Sequence, residues 1–134
     1  MATPTPPTQP QVVPYLYYAD AAAALEWLAK TFGFREMNRM VGADGKVQHA
    51  AMSLDDGGLI MLGCPGPNYR NPKNLGAKTQ SLYIHVRDVD AHFARARKAG
   101  ARILQEPADQ EYGQRRYGAE DPEGHAWYFA APIG

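Results

Sequence analysis

Apolar and polar residues alternate along Ser81–Val86, with Leu82, Ile84 and Val86 on one parity and Ser81, Tyr83 and His85 on the other. This is the pattern of a half-buried strand. Asp88 then stands where a helix N-cap belongs, and Val89, Phe93 and Ala96 recur at helical spacing before Gly100. The pattern predicts a helix over 89–99 with Lys98 in its last turn. Strands are expected at Ala101–Leu104, within Tyr112–Ala119 and at His125–Ala130, the last launched by the tight turn Asp121-Pro122-Glu123-Gly124.

The same order occurs earlier in the chain. Val12–Tyr18 reads as a strand, with Pro14, Leu16 and Tyr18 of one parity and Val13, Tyr15 and Tyr17 of the other. Asp20 is the next cap, Leu25, Leu28 and Phe32 mark one helical face, and Gly33 stops the helix. Strands follow at Arg35–Val41, Lys46–Leu54 and Leu59–Gly63, separated by the turns Ala43-Asp44-Gly45 and Asp55-Asp56-Gly57-Gly58. On the middle strand Val47, His49, Ala51 and Ser53 share one parity. Asp20 and Asp88 stand 68 residues apart, Gly33 and Gly100 67, and Gly58 and Gly124 66. Such near-constant offsets predict a tandem βαβββ repeat. The expected organisation is an extended Pro-rich start over 1–11, a first module over 12–63, a linker over 64–80 and a second module over 81–131, all in one domain over 12–134.

Composition narrows the function classes. The chain has 134 residues, 45% hydrophobic and 21% charged, with a formal net charge of zero. Basic and acidic residues interleave, which argues against a nucleic-acid partner. The one dense basic run, Arg95-Ala96-Arg97-Lys98, reads as the solvated face of the second helix. Cys64 is the single cysteine, so no internal disulfide or cysteine-rich zinc site is expected, and it reads as a bystander. No apolar run has the length of a membrane span, and "MATPTPPTQPQ" does not read as a signal peptide. A cytoplasmic protein without a membrane partner is the expectation.

The stretches "PYLYYADAAAALEWLAKTFGF", "RDVDAHFARARKAGARIL" and "RRYGAEDPEGHAWYF" resemble the vicinal oxygen chelate superfamily, which includes glyoxalase I, extradiol dioxygenases and bleomycin-binding proteins. The Asp-Pro-x-Gly-His-x-Trp pattern is similar to the branch described as PhnB-like. The resemblance implies an α+β fold in which tandem βαβββ modules form a curled mixed sheet with a central cleft. It also implies a homodimer, and in several members the partner chain completes the cleft. A module with a single helix covers one sheet face, so the other face needs a further partner.

The resemblance places metal ligands of metal-using members at Val13, Met61, Ser81 and Tyr128 of this chain, where His, Gln or Glu usually stand. Valine and methionine offer nothing useful to a hard divalent ion, and serine and neutral tyrosine are poor ligands. No metal and no other cofactor is therefore expected, which leaves enzymatic turnover of the usual kind in doubt. An unusual ligand set built on His49 and His85 is the alternative, and would make the chain a metal-dependent lyase, isomerase or dioxygenase.

The face opposite the helices offers a different chemistry. Tyr15, Tyr17, His49, Met61, Tyr83, His85, Arg116 and Tyr128 are the candidate ligand-binding residues. Tyrosine supplies flat apolar area with a polar tip, and methionine adapts its shape. Such a lining suits a small aromatic or amphipathic molecule, held by sequestration. Arg39, Arg115 and Arg116 are candidates for a positive edge. The competing reading of the tyrosines is dimer packing or plain core. His92 is expected at the surface, and His125 is expected to brace the turn.

Overall fold

Two helices and two four-stranded sheets account for both halves of the chain. The computed structural model describes residues 10–55 and 57–134, so the expected turn residue Asp56 and most of the Pro-rich start lie outside the described residues. The first module contains β1 (Tyr15–Tyr17), α1 (Ala21–Phe32), β2 (Arg35–Val41), β3 (Val47–Ser53) and β4 (Leu59–Gly63). A one-turn helix, α2 (Pro72–Leu75), interrupts the linker. The second module contains β5 (Ser81–His85), α3 (Val89–Lys98), β6 (Arg102–Asp109), β7 (Gln114–Glu120) and β8 (Ala126–Pro132). The sheet orders are β1-β4-β3-β2 and β5-β8-β7-β6, so the two modules share one topology. β1 runs parallel to β4 and β5 parallel to β8, while the remaining pairs are antiparallel.

The helices form where their caps and apolar stripes allow. Asp20 accepts a hydrogen bond from the Ala23 amide and Asp88 one from the Ala91 amide, both at 3.0 Å. Gly33 ends α1 in the left-handed region at φ 80°. A side chain there would be strained by the backbone and would also meet the Arg95 guanidinium at 2.8 Å. Leu25, Leu28 and Phe32 are buried on one face of α1, and Val89 and Ala96 on one face of α3.

Both modules contribute to one core. Phe32, at the end of α1, packs its ring against Trp127 and Phe129 of β8 at centroid distances of 5.6 and 4.7 Å. The Asp121–Gly124 turn locks the modules together. The Asp121 carboxylate accepts from Tyr18 Oη at 2.6 Å and from Trp127 Nε1 at 3.0 Å. Glu123 accepts from the amides of Ala19 (2.6 Å) and Asp20 (2.9 Å), where the chain enters α1. The Asn71 side-chain amide also donates to Glu123, at 2.9 Å, so the linker is fastened to the same turn.

Several boundaries differ from the sequence pattern. β1 keeps three residues of the expected run, because Pro14 has no N–H and Val12 is 81% exposed. β6 is longer than expected and carries Pro107, tolerated on an edge strand whose register shifts twice. Val47, expected to share the face of His49, is buried in the core instead. A register shift beside it, between Met40 and Val41 of β2, breaks the strict alternation.

Candidate functional site

Sheet parity places the candidate residues. Leu16, Ile60, Leu62, Tyr117, Trp127 and Phe129 are buried towards the helices. Their strand neighbours Tyr15, Tyr17, Met61, Arg116 and Tyr128 therefore lie on the opposite faces. The eight candidates divide equally between the sheets. Tyr15, Tyr17, His49 and Met61 belong to the first, and Tyr83, His85, Arg116 and Tyr128 to the second.

On the first face, Tyr15 Oη and His49 Nδ1 share a hydrogen bond at 2.9 Å, and the two rings stack at 5.5 Å. Tyr15 meets Tyr17 edge-on at 5.8 Å, and Tyr17 meets Tyr69 in the same way at 5.9 Å. Tyr69 was missed by the sequence pattern because it sits in the linker. Its hydroxyl donates to the Tyr17 carbonyl at 2.8 Å, and burial pushes its pKa up to about 12. Gly63 makes room beneath this group, since a Cβ there would stand 2.6 Å from Tyr15 Oη.

On the second face, the Arg116 guanidinium carbon lies 5.0 Å from the Tyr128 ring centroid. Arg116 Nε donates to Gln105 Oε1 at 3.2 Å, and a terminal nitrogen donates to Tyr112 Oη at 3.4 Å. Tyr83 bridges Tyr112 and Gln114, both at 3.2 Å, and His85 Nε2 also reaches Gln114 Oε1 at 3.2 Å. Partial desolvation and the Tyr112 hydrogen bond raise the Tyr83 pKa. Gln105, Tyr112 and Gln114 were not singled out from sequence. Gln114 shares the parity of Arg116 two residues away, and that was the available signal.

A cavity of about 950 Å³ opens between the modules, at the edges formed by β1 and β5. Tyr15, Tyr83 and His85 line it, together with Leu16, Phe34 and Ile84. Tyr17, His49, Met61, Arg116 and Tyr128 lie outside that lining, on the open sheet faces beyond it. The chain's own arrangement thus joins the modules through their helical sides and leaves each aromatic face open.

The proposed cationic edge separates. Arg39 forms a two-pronged pair with Glu36 at 2.6 and 2.8 Å. Arg115 bonds Asp90 and Asp109 from the helix side of β7. Arg116 is the member of the three that faces the aromatic cluster. The basic run of α3 also differs from its expected solvated role at one residue. Arg95 donates to the carbonyls of Lys30 (3.1 Å) and Ala29 (3.2 Å), capping α1 from the other module.

His92 is the clearest correction. It was expected at the surface, yet its ring packs on Phe129 at 4.2 Å and on Phe32 at 5.9 Å. Its Nδ1 meets Tyr117 Oη, and its Nε2 donates to the Phe32 carbonyl at 3.1 Å. The apolar stripe of α3 identified the side facing its own sheet, and the second contact side against α1 carries polar residues. Burial lowers the His92 pKa, with the nearby Arg95 charge adding to the effect and the Phe32 carbonyl opposing it. The unfolded chain, with an ordinary value of about 6.5, then binds a proton more readily than the folded one. The stabilisation from neutral His92 is complete above that pH and is lost as pH falls through the folded value. Thermal midpoints measured from pH 7.5 to 5 should fall more steeply for the wild type than for His92→Gln. Parallel profiles would contradict this role. His125, by contrast, braces the junction as well as its turn. Its amide donates to Asp121 Oδ1 at 3.0 Å, and its Nε2 donates to the Tyr17 carbonyl at 2.8 Å.

The side chains at the positions indicated by the resemblance are poor donors for a divalent metal. Of the four positions indicated by the resemblance, Val13 precedes β1, Ser81 opens β5, and Met61 and Tyr128 lie on different sheets. His49 and His85 are likewise on different sheets. Among the described residues, no group of three or more His, Cys, Asp or Glu could hold a metal ion. No helix among them is long and apolar enough to cross a membrane.

Comparison with known proteins agrees with this architecture. The family model described as "Glyoxalase/Bleomycin resistance protein/Dioxygenase superfamily" matches residues 8–129. Protein Rv0887c of Mycobacterium tuberculosis (strain ATCC 25618 / H37Rv) is 36% identical over 131 residues, covering 93% of this chain and 76% of that protein. The crystal structure of TioX from Micromonospora sp. ML1 superposes with a TM-score of 0.74 at 36% identity, covering 90% of this chain and 97% of that one. TnmS3, an antibiotic binding protein from Streptomyces sp. CB03234, shares the fold with a TM-score of 0.67 at 19% identity, covering 91% and 96% of the two chains.

Proposed function

From the premise that this chain belongs to the glyoxalase/bleomycin resistance protein/dioxygenase superfamily, we propose that it binds a small aromatic or amphipathic molecule on its tyrosine-lined faces and holds it chemically unchanged. The observation that carries this reading is the exposure of those tyrosines. Tyr15 is 43% exposed, Tyr17 51% and Tyr83 42%, and Tyr15 and Tyr83 also line the inter-module cavity. Clustered exposed aromatics of this kind mark a binding surface. The fold is one that TnmS3 uses for antibiotic binding.

A homodimer is part of the same reading. Each aromatic face is open within one chain, so a flat ligand covered on both sides requires a face from a second copy. Function in the cytoplasm suits a chain whose single cysteine is Cys64.

A thermal-shift screen with planar aromatic antibiotics tests the binding. A ligand present at about 100 times its Kd should stabilise the fold by about 2.7 kcal/mol. Tyr83→Ala should weaken that stabilisation. A screen in which no planar aromatic raises the midpoint would overturn the reading.

A further inference from the structure

We propose that the second-sheet face is an oxyanion-recognising half-site, and that Arg116 binds a carboxylate or an equally delocalised oxyanion carried by the aromatic ligand. This rests on the ligand-binding reading above and adds the charge of the ligand. Three observations support it.

The first is charge balance. Arg39 is paired with Glu36, and Arg115 with Asp90 and Asp109. Arg116 has no carboxylate partner among the described residues, although it is half-buried. Glu120, four positions along β7, is already engaged by Lys78 at 2.6 Å and Arg102 at 3.1 Å.

The second is the direction of the hydrogen bonds. Gln114 Oε1 is an acceptor only, so both Tyr83 Oη and His85 Nε2 donate to it. Tyr83 has one hydroxyl proton, so Tyr112 donates to Tyr83 while accepting from Arg116. The carbonyl oxygen of Gln114 is thereby occupied. Beside it stand donors, namely the Gln114 amide N–H groups and the remaining N–H groups of Arg116. A ligand that presents acceptors and a negative charge complements such a surface.

The third is rigidity. The Tyr128 ring lies over Gly118, where a Cβ would meet it at 2.6 Å. The guanidinium in turn lies over that ring. Arg116 is therefore held by stacking and by two hydrogen bonds before any ligand arrives, which reduces the ordering cost of binding.

A matched pair of fluorescent probes tests the inference. Anthracene-9-carboxylate and 9-anthracenemethanol share one tricyclic body and differ in charge. At pH 7.5 and low salt, the wild type should bind the carboxylate at least about tenfold more tightly than the alcohol. Arg116→Gln should reduce that preference to within about twofold, and Arg116→Lys should retain part of it. Unchanged circular dichroism and melting midpoints would show that both variants fold. Equal binding of the two probes by the wild type, or a preference that survives in Arg116→Gln, would overturn the oxyanion assignment and leave the aromatic-binding reading intact. Binding of neither probe would count against that reading itself, and the assignment would fall with it.

Discussion

Asp121→Ala should destabilise the fold by about 4 kcal/mol and lower the thermal midpoint by roughly 10–20 °C. Asp121 is 4% exposed, and its carboxylate serves four donors. Two are side chains, Tyr18 Oη from the first module and Trp127 Nε1 from β8. Two are the backbone amides of Glu123 (3.1 Å) and His125 (3.0 Å) within the turn. Alanine strands all four, three of them buried, and an unmet buried donor costs more than a satisfied bond contributes. Tyr18→Phe removes one of the four, and should cost about 1–3 kcal/mol. The two substitutions should be less than additive, because each removes the same bond. Burial first, and then the Asp121 charge, raise the Tyr18 pKa well above its ordinary value, so the phenol keeps its proton. Chemical denaturation with a linear extrapolation measures all three costs. A loss under about 1 kcal/mol for Asp121→Ala would show that the Asp121 bonds do not hold the modules together.

The largest effect on binding is expected from Gly118→Val. Tyr128 lies directly across the ladder from Gly118, and its ring occupies the space a side chain would need. A Cβ would stand 2.6 Å from Cε1 and 2.8 Å from Cδ1 of that ring, so the ring must move. Arg116 stacks on the ring and should move with it. Overpacking of this kind costs about 1–3 kcal/mol in stability. Affinity for anthracene-9-carboxylate should fall at least about tenfold, as expected when stacking and a charge-assisted bond are both displaced. Fluorescence titration beside a melting curve separates the two effects. A variant that folds and binds as the wild type does would mean that the ligand does not rest on Tyr128.

The repeat was legible because its punctuation is local. Asp20, Asp88 and Gly33 act at helix ends through their own side chain or backbone, and each does so in the structure. The alternation in β5 likewise survives, since Leu82 and Ile84 pack on the core while Tyr83 and His85 are exposed. The junction between modules was not legible. His92 and Arg95 sit on polar positions of α3, and their partners are backbone carbonyls of α1, which no residue type advertises. The role of Asp121 was half visible. Its turn was evident from Asp-Pro-Glu-Gly, whereas its bond to Tyr18 spans 103 residues. The division of the candidate residues between two open faces depends on how the modules pack, and that is decided by Phe32, Trp127 and Phe129. The three arginines looked alike in sequence, and strand parity and neighbouring carboxylates told them apart.

The most direct test of the central claim is equilibrium dialysis, before and after exhaustive chelation, with a planar aromatic antibiotic that stabilises the protein. The recovered ligand is then weighed by mass spectrometry. The expected result is an affinity unchanged within about twofold, as follows from faces whose contacts are aromatic stacking and hydrogen bonds, and a ligand of unaltered mass. Binding abolished by the chelator and restored by a divalent ion, or a ligand returned with a different mass, would contradict it.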